Sequence, residues 1–269
     1  MASNDNNDQF PKVQGGGSLI LAWQVKNKHV LVVGGGEVAA GRILNVLNAN
    51  ANVTVISPSS GLNPEVRHRI ANDEVTHIDR VFEPSDLEIL PPSNGPPDMV
   101  LVAIDDPDAS TQIWKLCKEH RIPANIADVP PECDFYFGSV HRDGPLQIMV
   151  STNGKGPRLA ASIRKWIGTQ LPVGVGDAIE RMGVLRTKLR QMAPSPEEGP
   201  GRMKWISKIS DAYSWDDMCS LTDEDMDNLL TFYAPDKVPH LDMLKAMRGG
   251  RAEEDIDVFD GSFGFSVVA

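Results

Sequence analysis

A glycine-rich turn constrains the fold of this chain more than any other sequence feature. Lys28–Val33 is a short β-branched segment, Gly34, Gly35 and Gly36 follow it, and apolar residues then recur at helical spacing as far as Leu47. A strand, turn and helix of this kind bind the pyrophosphate of a dinucleotide, because the helix N-terminus attracts anions and glycine admits them closely. We therefore predict a Rossmann-type domain that holds NAD(P) in the first half of the chain.

Individual positions of the turn have separate expected roles. Gly34 permits the tight turn out of the strand, Gly36 lets the backbone approach a pyrophosphate, and Ala39 replaces a third glycine. A glycine-rich turn without any ligand remains the alternative.

The second strand, Val53–Ile56, ends in Ser57–Ser59 without an acid for a ribose hydroxyl or an Arg for a 2′-phosphate. The end of this strand therefore leaves the choice between NAD and NADP open.

Strands and helices alternate through the first half of the chain. Further strands are predicted at Val75–Ile78, Met99–Ile104 and Pro123–Ala127, with a short helix near Ser85–Leu90 and a longer one at Asp108–His120. This alternation predicts the α/β class, with a parallel sheet, right-handed crossovers and a ligand beyond the carboxyl ends of the strands.

The pattern changes after the fifth strand. Two strands, Phe135–Val140 and Leu146–Ser151, are expected to form a hairpin through His141–Pro145. Pro157 suits the first turn of a helix, and Asp177 is a plausible cap for the next one. A mixed α/β region therefore follows the parallel sheet.

The last part of the chain is predicted to be helical. Ala193–Gly201 contains three prolines and two glycines and predicts a linker. Beyond it, Thr222 and Asp225 are expected to begin a helix.

Charge and composition exclude several functional classes. The net charge of −11 argues against general nucleic-acid binding, but Lys155–Arg190 holds eight basic residues against two acids. No apolar run approaches the roughly 20 residues of a membrane span, and the N-terminus lacks the pattern of a secretory signal. Cys117, Cys133 and Cys219 are too few and too scattered for a disulfide framework, which fits a cytoplasmic protein.

Acidic residues follow two of the predicted strands at the edge where ligands bind. Asp105 comes after the fourth strand, and we predict that it contacts the cofactor. For Asp106 and Asp108, a turn and a helix cap are an equally good explanation. Asp128 ends the fifth strand, where a substrate should lie beside the nicotinamide, although chance placement of a turn aspartate explains it as well.

A polar loop joins the hairpin to the following helix. Its hydroxyl groups, free backbone N–H groups and two cations suit a carboxylate or phosphate, and Thr152, Asn153, Lys155 and Arg158 are the candidate substrate ligands. A capped helix start with solvated charges is the alternative. The six histidines show no spacing typical of a transition-metal site, so no residue is assigned as a metal ligand.

Three motifs carry a family resemblance. They are Val32–Val38 (VVGGGEV), Asn125–Gly138 (NIADVPPECDFYFG) and Leu146–Arg158 (LQIMVSTNGKGPR). With them the chain resembles the siroheme synthase family, in particular the fungal bifunctional form that combines precorrin-2 dehydrogenase and sirohydrochlorin ferrochelatase. The resemblance spans roughly Leu19 to Met192.

The resemblance implies a fold, a cofactor and site residues. It implies NAD as the cofactor, Asp128 as the catalytic aspartate, and Thr152 as a hydroxyl at the substrate site. The positions that match cofactor contacts are Glu37, Val38, Pro58 and Ser59. It also implies a homodimer that exchanges elements between subunits. The predicted division is a flexible tail at 1–18, the NAD-binding Rossmann domain at 19–136, a mixed α/β dimerisation region at 137–195 and a small helical C-terminal domain at 196–269.

The implied chemistry agrees with the residues. The substrate would be a tetrapyrrole, precorrin-2 and then sirohydrochlorin, whose carboxylates would be attracted to the basic stretch around Lys155 and Arg158. Asp128 could accept the proton released during dehydrogenation and those released when ferrous iron, the second substrate, enters the ring. Two alternatives stay open: a dehydrogenase without ferrochelatase activity, and a non-catalytic NAD-sensing Rossmann protein.

Overall fold

The computed structural model describes residues 15–248 and the two-residue strand Val258–Phe259. These residues form two compact units, one of 15–137 with 153–155 and the other of 138–152 with 156–248 and the short strand. Of the predicted tail, residues 1–14 lie outside the described residues, as do 249–257 and 260–269 of the predicted C-terminal domain. The predicted division into domains stays a prediction.

The first unit contains a five-stranded parallel sheet with the strand order β3-β2-β1-β4-β5. The strands are β1 (His29–Val33), β2 (Asn52–Ile56), β3 (Thr76–Ile78), β4 (Met99–Val102) and β5 (Ala124–Ile126). The helices are α1 (Glu37–Leu47), α2 (Pro64–Ala71) and α3 (Pro107–Glu119). The predicted Rossmann-type parallel sheet is thereby confirmed.

The central strand explains why helices cover both faces of this sheet. All five residues of β1 are buried, and successive side chains point to opposite faces. Val32 packs in one core cluster with Ile43 of α1, and Leu31 packs in a second cluster with Ile113 of α3. A strand that is apolar on both sides is typical of a parallel sheet between two helical layers.

The structure corrects one prediction for this unit and decides between two alternatives for another residue. The short helix expected near Ser85–Leu90 is a 3-10 helix at Pro84–Leu87. Asp106 caps α3, because its carboxylate accepts a hydrogen bond of 3.0 Å from the backbone N–H of Ala109. The helix-cap alternative is therefore correct for Asp106.

The second unit begins with an antiparallel hairpin of β6 (Ser139–Asp143) and β7 (Leu146–Val150). The predicted first strand, Phe135–Val140, was wrong by several residues. Phe135 instead packs its ring against Trp23, with centroids 5.2 Å apart, and remains in the first unit. The strand consequently starts later and includes part of the predicted turn.

Two long helices follow the hairpin, α4 (Pro157–Gln170) and α5 (Val175–Met192). The prediction that Asp177 caps α5 was wrong, because the helix begins two residues earlier, after Gly174 with φ +90°. Asp143 accepts a hydrogen bond of 2.9 Å from the N–H of Gly176, which fixes the start of the helix against the hairpin.

The remaining elements form a helical cluster. They are α6 (Gly199–Ala212), α7 (Trp215–Ser220), α8 (Asp223–Leu230), α9 (Leu241–Met247), and the strand pair β8 (Val238–Pro239) and β9 (Val258–Phe259). The predicted linker Ala193–Gly201 extends too far, because α6 already begins at Gly199. The capping box of Thr222 and Asp225 is present at the start of α8, as expected. Across the described residues, every helix is too short or too polar to cross a membrane.

Candidate functional site

A cavity of about 630 Å³ lies at the carboxyl ends of the parallel strands in the first unit. It is lined by the glycine turn after β1 and by the loops after β2, β4 and β5. Six residues predicted from the sequence line it: Gly34, Gly36, Glu37, Val38, Asp105 and Asp128. The fold thus brings together residues that are far apart in the sequence.

The glycine turn packs closely against neighbouring residues at its first two positions and is open at the third. Gly34 has φ +112°, and a Cβ at this position would collide with the carbonyl oxygen of Ala103. At Gly35 a Cβ would lie 2.5 Å from Leu62 Cδ2, whereas at Gly36 it would meet no atom within 4 Å. Gly34 is therefore required by the backbone itself, a side chain at Gly35 would displace Leu62, and Gly36 leaves open space in front of the backbone.

The N-terminus of α1 provides an anion site beside that open space. Gly36 is the N-cap residue and forms no side-chain cap hydrogen bond. The backbone N–H groups of the first turn are consequently available to a ligand, and the helix dipole favours a negative one. This donor set and the open space at Gly36 fit the pyrophosphate of a dinucleotide.

A second, more apolar cavity of about 390 Å³ adjoins the first and shares Gly34, Ser57 and Ile104 with it. Pro58 lines this cavity, as do Val81, Phe82, Ile113 and Leu116. Its volume and its apolar lining suit a flat aromatic base. Together the two cavities can hold an extended ligand with a polar centre and an aromatic end.

The loop after β2 is held by a carboxylate that follows the neighbouring strand. Ser59 donates two hydrogen bonds to Asp79, from its backbone N–H at 2.7 Å and from its Oγ at 2.5 Å. These bonds lower the pKa of the Asp79 carboxyl below its usual value. Sequence reasoning missed Asp79 because it considered only acids at the end of β2. The parallel pairing of Ile56 with Ile78 is the signal that could have found it.

Asp128 is exposed and lies two residues beyond β5, in the left-handed region with φ +60°. Asp and Asn are enriched in this conformation because their side chains can bond locally to the backbone. Asp105, after β4, is likewise exposed on the large cavity. Two carboxylates therefore face the cavity from neighbouring strands.

Arg42 of α1 is a partly buried cation near this site that sequence reasoning missed. Its Nη1 donates to the side-chain oxygen of Asn125, and its guanidinium lies 5.2 Å from the ring centroid of Phe137. Burial lowers the pKa of Arg42, while electrostatic interaction with Cys133 and Asp128 opposes that change. The sequence carries no signal for this role, since a single Arg in an amphipathic helix normally lies in solvent.

Two of the predicted substrate ligands belong to the second unit. Thr152 Oγ1 accepts a hydrogen bond of 3.1 Å from the N–H of Gly156, just before α4 begins. Arg158 is exposed in the first turn of that helix. The bond from Gly156 to Thr152 ties down the loop before the helix, but α4 has Gly156 as its N-cap and no side-chain cap, so the alternative of a capped helix start is not found.

The other two predicted substrate ligands belong to the first unit. Asn153 accepts a hydrogen bond of 2.7 Å from Ser18 Oγ, and its Nδ2 donates to the carbonyl oxygen of Gly16 at 2.8 Å. Lys155 is exposed. The four predicted ligands lie in one short stretch of sequence, but two of them belong to each structural unit.

The described cysteines and carboxylates are groups that a disulfide or a protein-held metal ion could use. Cys117, Cys133 and Cys219 are free thiols, and burial raises the pKa of Cys117 to about 12. Within the part of the chain that the structure describes, no three His, Cys, Asp or Glu side chains are grouped to hold a metal ion.

Three known families match successive parts of the chain. A family described as putative NAD(P)-binding matches residues 21–139. Families described as sirohaem biosynthesis protein central and sirohaem biosynthesis protein C-terminal match residues 143–170 and 172–239.

Two curated fungal proteins, each named as a siroheme biosynthesis protein, are similar to most of the chain. The one from Schizosaccharomyces pombe is 52% identical over 231 residues, which are 86% of this chain and 85% of that protein. The one from Saccharomyces cerevisiae is 32% identical over 228 residues, with coverage of 73% of this chain and 83% of that protein.

One solved structure is similar over most of the chain. "SirC, precorrin-2 dehydrogenase" superimposes with a TM-score of 0.56 and 19% identity, covering 81% of this chain and all of that one. At this level of identity the likeness concerns the fold alone.

Proposed function

This chain belongs to the family of siroheme biosynthesis proteins, and from that premise we propose that it catalyses two consecutive steps of siroheme synthesis. In the first, NAD-dependent oxidation converts precorrin-2 to sirohydrochlorin. In the second, insertion of ferrous iron into sirohydrochlorin gives siroheme. The observation that carries this proposal is the position of Asp128, whose carboxylate faces the same cavity as the glycine turn.

The cofactor in this proposal is NAD, held by the first unit. Gly36 and the uncapped N-terminus of α1 bind the pyrophosphate, and the apolar cavity beside Pro58 accepts the adenine. Glu37 and Val38 line the cavity at the start of α1, and Asp105 lines it from the loop after β4. When bound, NAD supplies the hydride acceptor.

Asp128 is the general base of both steps in this proposal. It accepts the proton that a ring carbon of precorrin-2 loses during oxidation. In the second step, two pyrrole N–H groups of sirohydrochlorin lose protons, and the same carboxylate accepts them one at a time, releasing the first to solvent before it takes the second. The pyrrole nitrogens then hold the iron, so the chain needs no preformed metal cage of its own.

The substrate ligands in this proposal are polar groups of the loop that follows the hairpin. Lys155 and Arg158 attract carboxylates of the tetrapyrrole, and Thr152 and Asn153 offer hydrogen bonds. Both cations are exposed, which supports a role in binding an anionic substrate.

Product formation tests the first step. Purified protein incubated with precorrin-2 and NAD is expected to give sirohydrochlorin, followed by its absorbance and by NADH formation. If no sirohydrochlorin appears although NAD binds, the dehydrogenase proposal is wrong. Tight NAD binding without tetrapyrrole binding would favour the NAD-sensing alternative.

Iron insertion is tested separately, because a dehydrogenase without ferrochelatase activity is the nearer alternative. Sirohydrochlorin and ferrous iron are mixed anaerobically with and without the protein, and siroheme is measured over time. A rate above the protein-free reaction supports the second step. Equal rates would restrict the function to the dehydrogenase.

We further propose that the protein is a homodimer and acts in the cytosol. Helix α4 exposes an apolar stripe of Leu159, Ile163 and Trp166, which are 61%, 37% and 64% exposed. Contiguous exposed apolar residues of this kind are typical of a protein interface. The three free thiols fit a reducing compartment.

A further inference from the structure

The end of β2 lacks the carboxylate that NAD-binding sheets usually place there, yet the structure provides one after β3. Ile56, the last residue of β2, pairs with Ile78, the last residue of β3. Because the strands are parallel, the residues that follow them emerge at the same edge of the sheet. Asp79 is the first residue after β3, and it meets Ser59 of the loop after β2.

The Asp79 carboxylate is bound on one side and open on the other. One oxygen accepts the N–H of Ser59 at 2.7 Å, and the other accepts its hydroxyl at 2.5 Å. Each carboxylate oxygen can accept a second hydrogen bond, and the residue is exposed. Since the bonds from Ser59 lower the pKa of Asp79, the group is an anion at neutral pH.

Asp79 itself lines neither cavity, but residues on both sides of its contact with Ser59 line the apolar one. Pro58, just before Ser59, lines that cavity, and so do Val81 and Phe82, which follow Asp79 in the same loop. With the adenine in the cavity and the pyrophosphate at Gly36, the ribose between them lies near this edge of the sheet.

Three other ionisable groups surround this edge. Arg80 is committed to the buried Asp86, with hydrogen bonds of 2.8 and 2.6 Å. Arg67 donates to the carbonyl oxygens of Ser59 and Leu62, at 3.2 and 3.1 Å.

His77 is the third group, and its Nε2 lies 2.8 Å from the carbonyl oxygen of Ser57. Arg80 is thus held by a carboxylate and Arg67 by carbonyl oxygens, so Arg67 is a nearby cation that an added phosphate could attract.

We propose that Asp79 forms the ribose-recognition site of this chain and selects NAD over NADP. Its carboxylate accepts a hydrogen bond from the 2′-hydroxyl of the adenosine ribose, and its charge repels a phosphate at the same position. This inference rests on the proposed function, in which the first unit binds NAD.

Dissociation constants of NAD and NADP, measured by calorimetry without substrate, test the inference. The Asp79→Asn variant keeps an oxygen that can accept from Ser59 but removes the charge. We expect its Kd for NAD to rise roughly 10-fold, which is the lower range for a charged hydrogen bond, and its Kd for NADP to fall. The wild-type preference for NAD should therefore shrink by roughly 10-fold or more.

Two further variants distinguish recognition of the ribose by Asp79 from its support of the loop after β2. Ser59→Ala removes one bond to Asp79 and keeps the charge, so it should weaken NAD binding without changing the NAD-to-NADP ratio. Asp73→Asn removes the same charge before β3, at the opposite end of the strand, and should change neither constant, because charges beyond about 10 Å are screened.

The possible failures are distinguishable. If the wild-type protein binds neither dinucleotide, the proposed function is overturned together with the inference. If it binds NAD but Asp79→Asn keeps the wild-type ratio, only the role of Asp79 is overturned. A wild-type preference for NADP would overturn both that role and the choice of NAD as the cofactor. A ratio that changes equally in Asp73→Asn would likewise exclude a specific role for Asp79.

Discussion

Asp128 combines an unusual backbone conformation with a position on the cofactor cavity. Because φ is +60°, the informative substitution is Asp128→Asn, since Asn adopts this conformation more readily than Ala. We predict that kcat for sirohydrochlorin formation falls by roughly 10²- to 10⁴-fold, the usual contribution of a general base. NAD affinity should stay within about 2-fold, because no interaction with the pyrophosphate or adenine is removed.

The matched control is Asp108→Asn, which makes the same substitution at an exposed carboxylate in the first turn of α3. It should retain wild-type kcat. Single-turnover oxidation and calorimetric NAD titration of both variants provide the comparison. An Asp128→Asn enzyme with wild-type turnover would show that another group accepts the proton.

Gly34 is required by the fold as well as by the ligand. Its φ of +112° and the nearby carbonyl of Ala103 leave no room for a side chain. Gly34→Ala should lower the free energy of unfolding by roughly 2 kcal/mol and weaken NAD binding, because the turn must shift. Gly41→Ala, in the middle of α1 with open space around it, should be neutral or stabilising by up to about 1 kcal/mol.

Urea denaturation and NAD titration of the two variants test this difference. Equal stability of Gly34→Ala and Gly41→Ala would mean that the turn can relax without cost. Loss of NAD binding at constant stability would place the effect in the ligand site alone.

The residues of the candidate site were predictable to unequal degrees. The glycine turn and Asp128 follow from local pattern, because each lies directly after a strand in the sequence. Asp79 and Arg42 depend on which strands are neighbours and on which helix face is covered. Those relations exist only after the sheet has formed, so a single sequence did not reveal them.

At the scale of elements, the start of α8 depends on one buried carboxylate. Asp225 is fully buried and accepts hydrogen bonds from Arg248 Nε at 2.7 Å and Nη2 at 2.6 Å. It also accepts from the N–H and hydroxyl of Thr222, both at 2.7 Å. The bond to Arg248 is the largest cause that lowers the pKa of Asp225 to about 2.

This shift makes the stability of the second unit depend on pH. The stabilisation from ionised Asp225 is complete above its unfolded pKa, near 4, and is lost as the pH falls through about 2. Asp225→Asn should therefore reduce the free energy of unfolding by about 2 kcal/mol at pH 7, and the deficit should shrink toward pH 2.

Denaturant titrations at pH 7 and at pH 3 measure this deficit. Asp236→Asn is the control, because Asp236 forms ion pairs with Lys204 and Lys208 but is exposed. The loss of unfolding free energy caused by Asp236→Asn should be much smaller at both pH values. A deficit for Asp225→Asn that does not depend on pH would assign the loss to packing instead of charge.

Most elements were predictable because their periodicity is local, and the errors have local causes. The hairpin starts later than predicted because Phe135 packs against Trp23 instead of continuing the strand. Helix α5 starts earlier than Asp177 because Gly174 adopts a left-handed conformation before it and Gly176 allows close contact with Asp143 of the hairpin. In both cases a tertiary contact overrides a correct local preference.

At the scale of the whole molecule, the family follows from three short motifs, and the comparison with the fungal proteins confirms it. The fold class was predictable from the alternation of strands and helices, and it too is confirmed. Subunit association is harder to predict from the sequence than the family or the fold class, because a single chain contains only half of any interface. The observation that bears on the proposed dimer is the exposed apolar surface on α4.

The apolar stripe on α4 leads to a prediction about association. Leu159, Ile163 and Trp166 lie three or four positions apart, so they share one face of the helix, and that face is exposed. Such a face is stable in water when a second copy covers it. We predict that the wild-type protein is a dimer and that Trp166→Glu is a monomer, because the carboxylate would be buried without a partner in the interface.

The Trp166→Glu monomer should remain folded, because the indole is 64% exposed in the single chain and its removal leaves no cavity. Lys165→Glu introduces a carboxylate at an exposed position of α4 that is not three or four positions from any residue of the stripe, and it should remain a dimer. Sedimentation equilibrium gives the mass of each variant, and circular dichroism verifies the helices. A monomeric wild-type protein, or a Trp166→Glu variant that still dimerises, would place any interface away from this stripe.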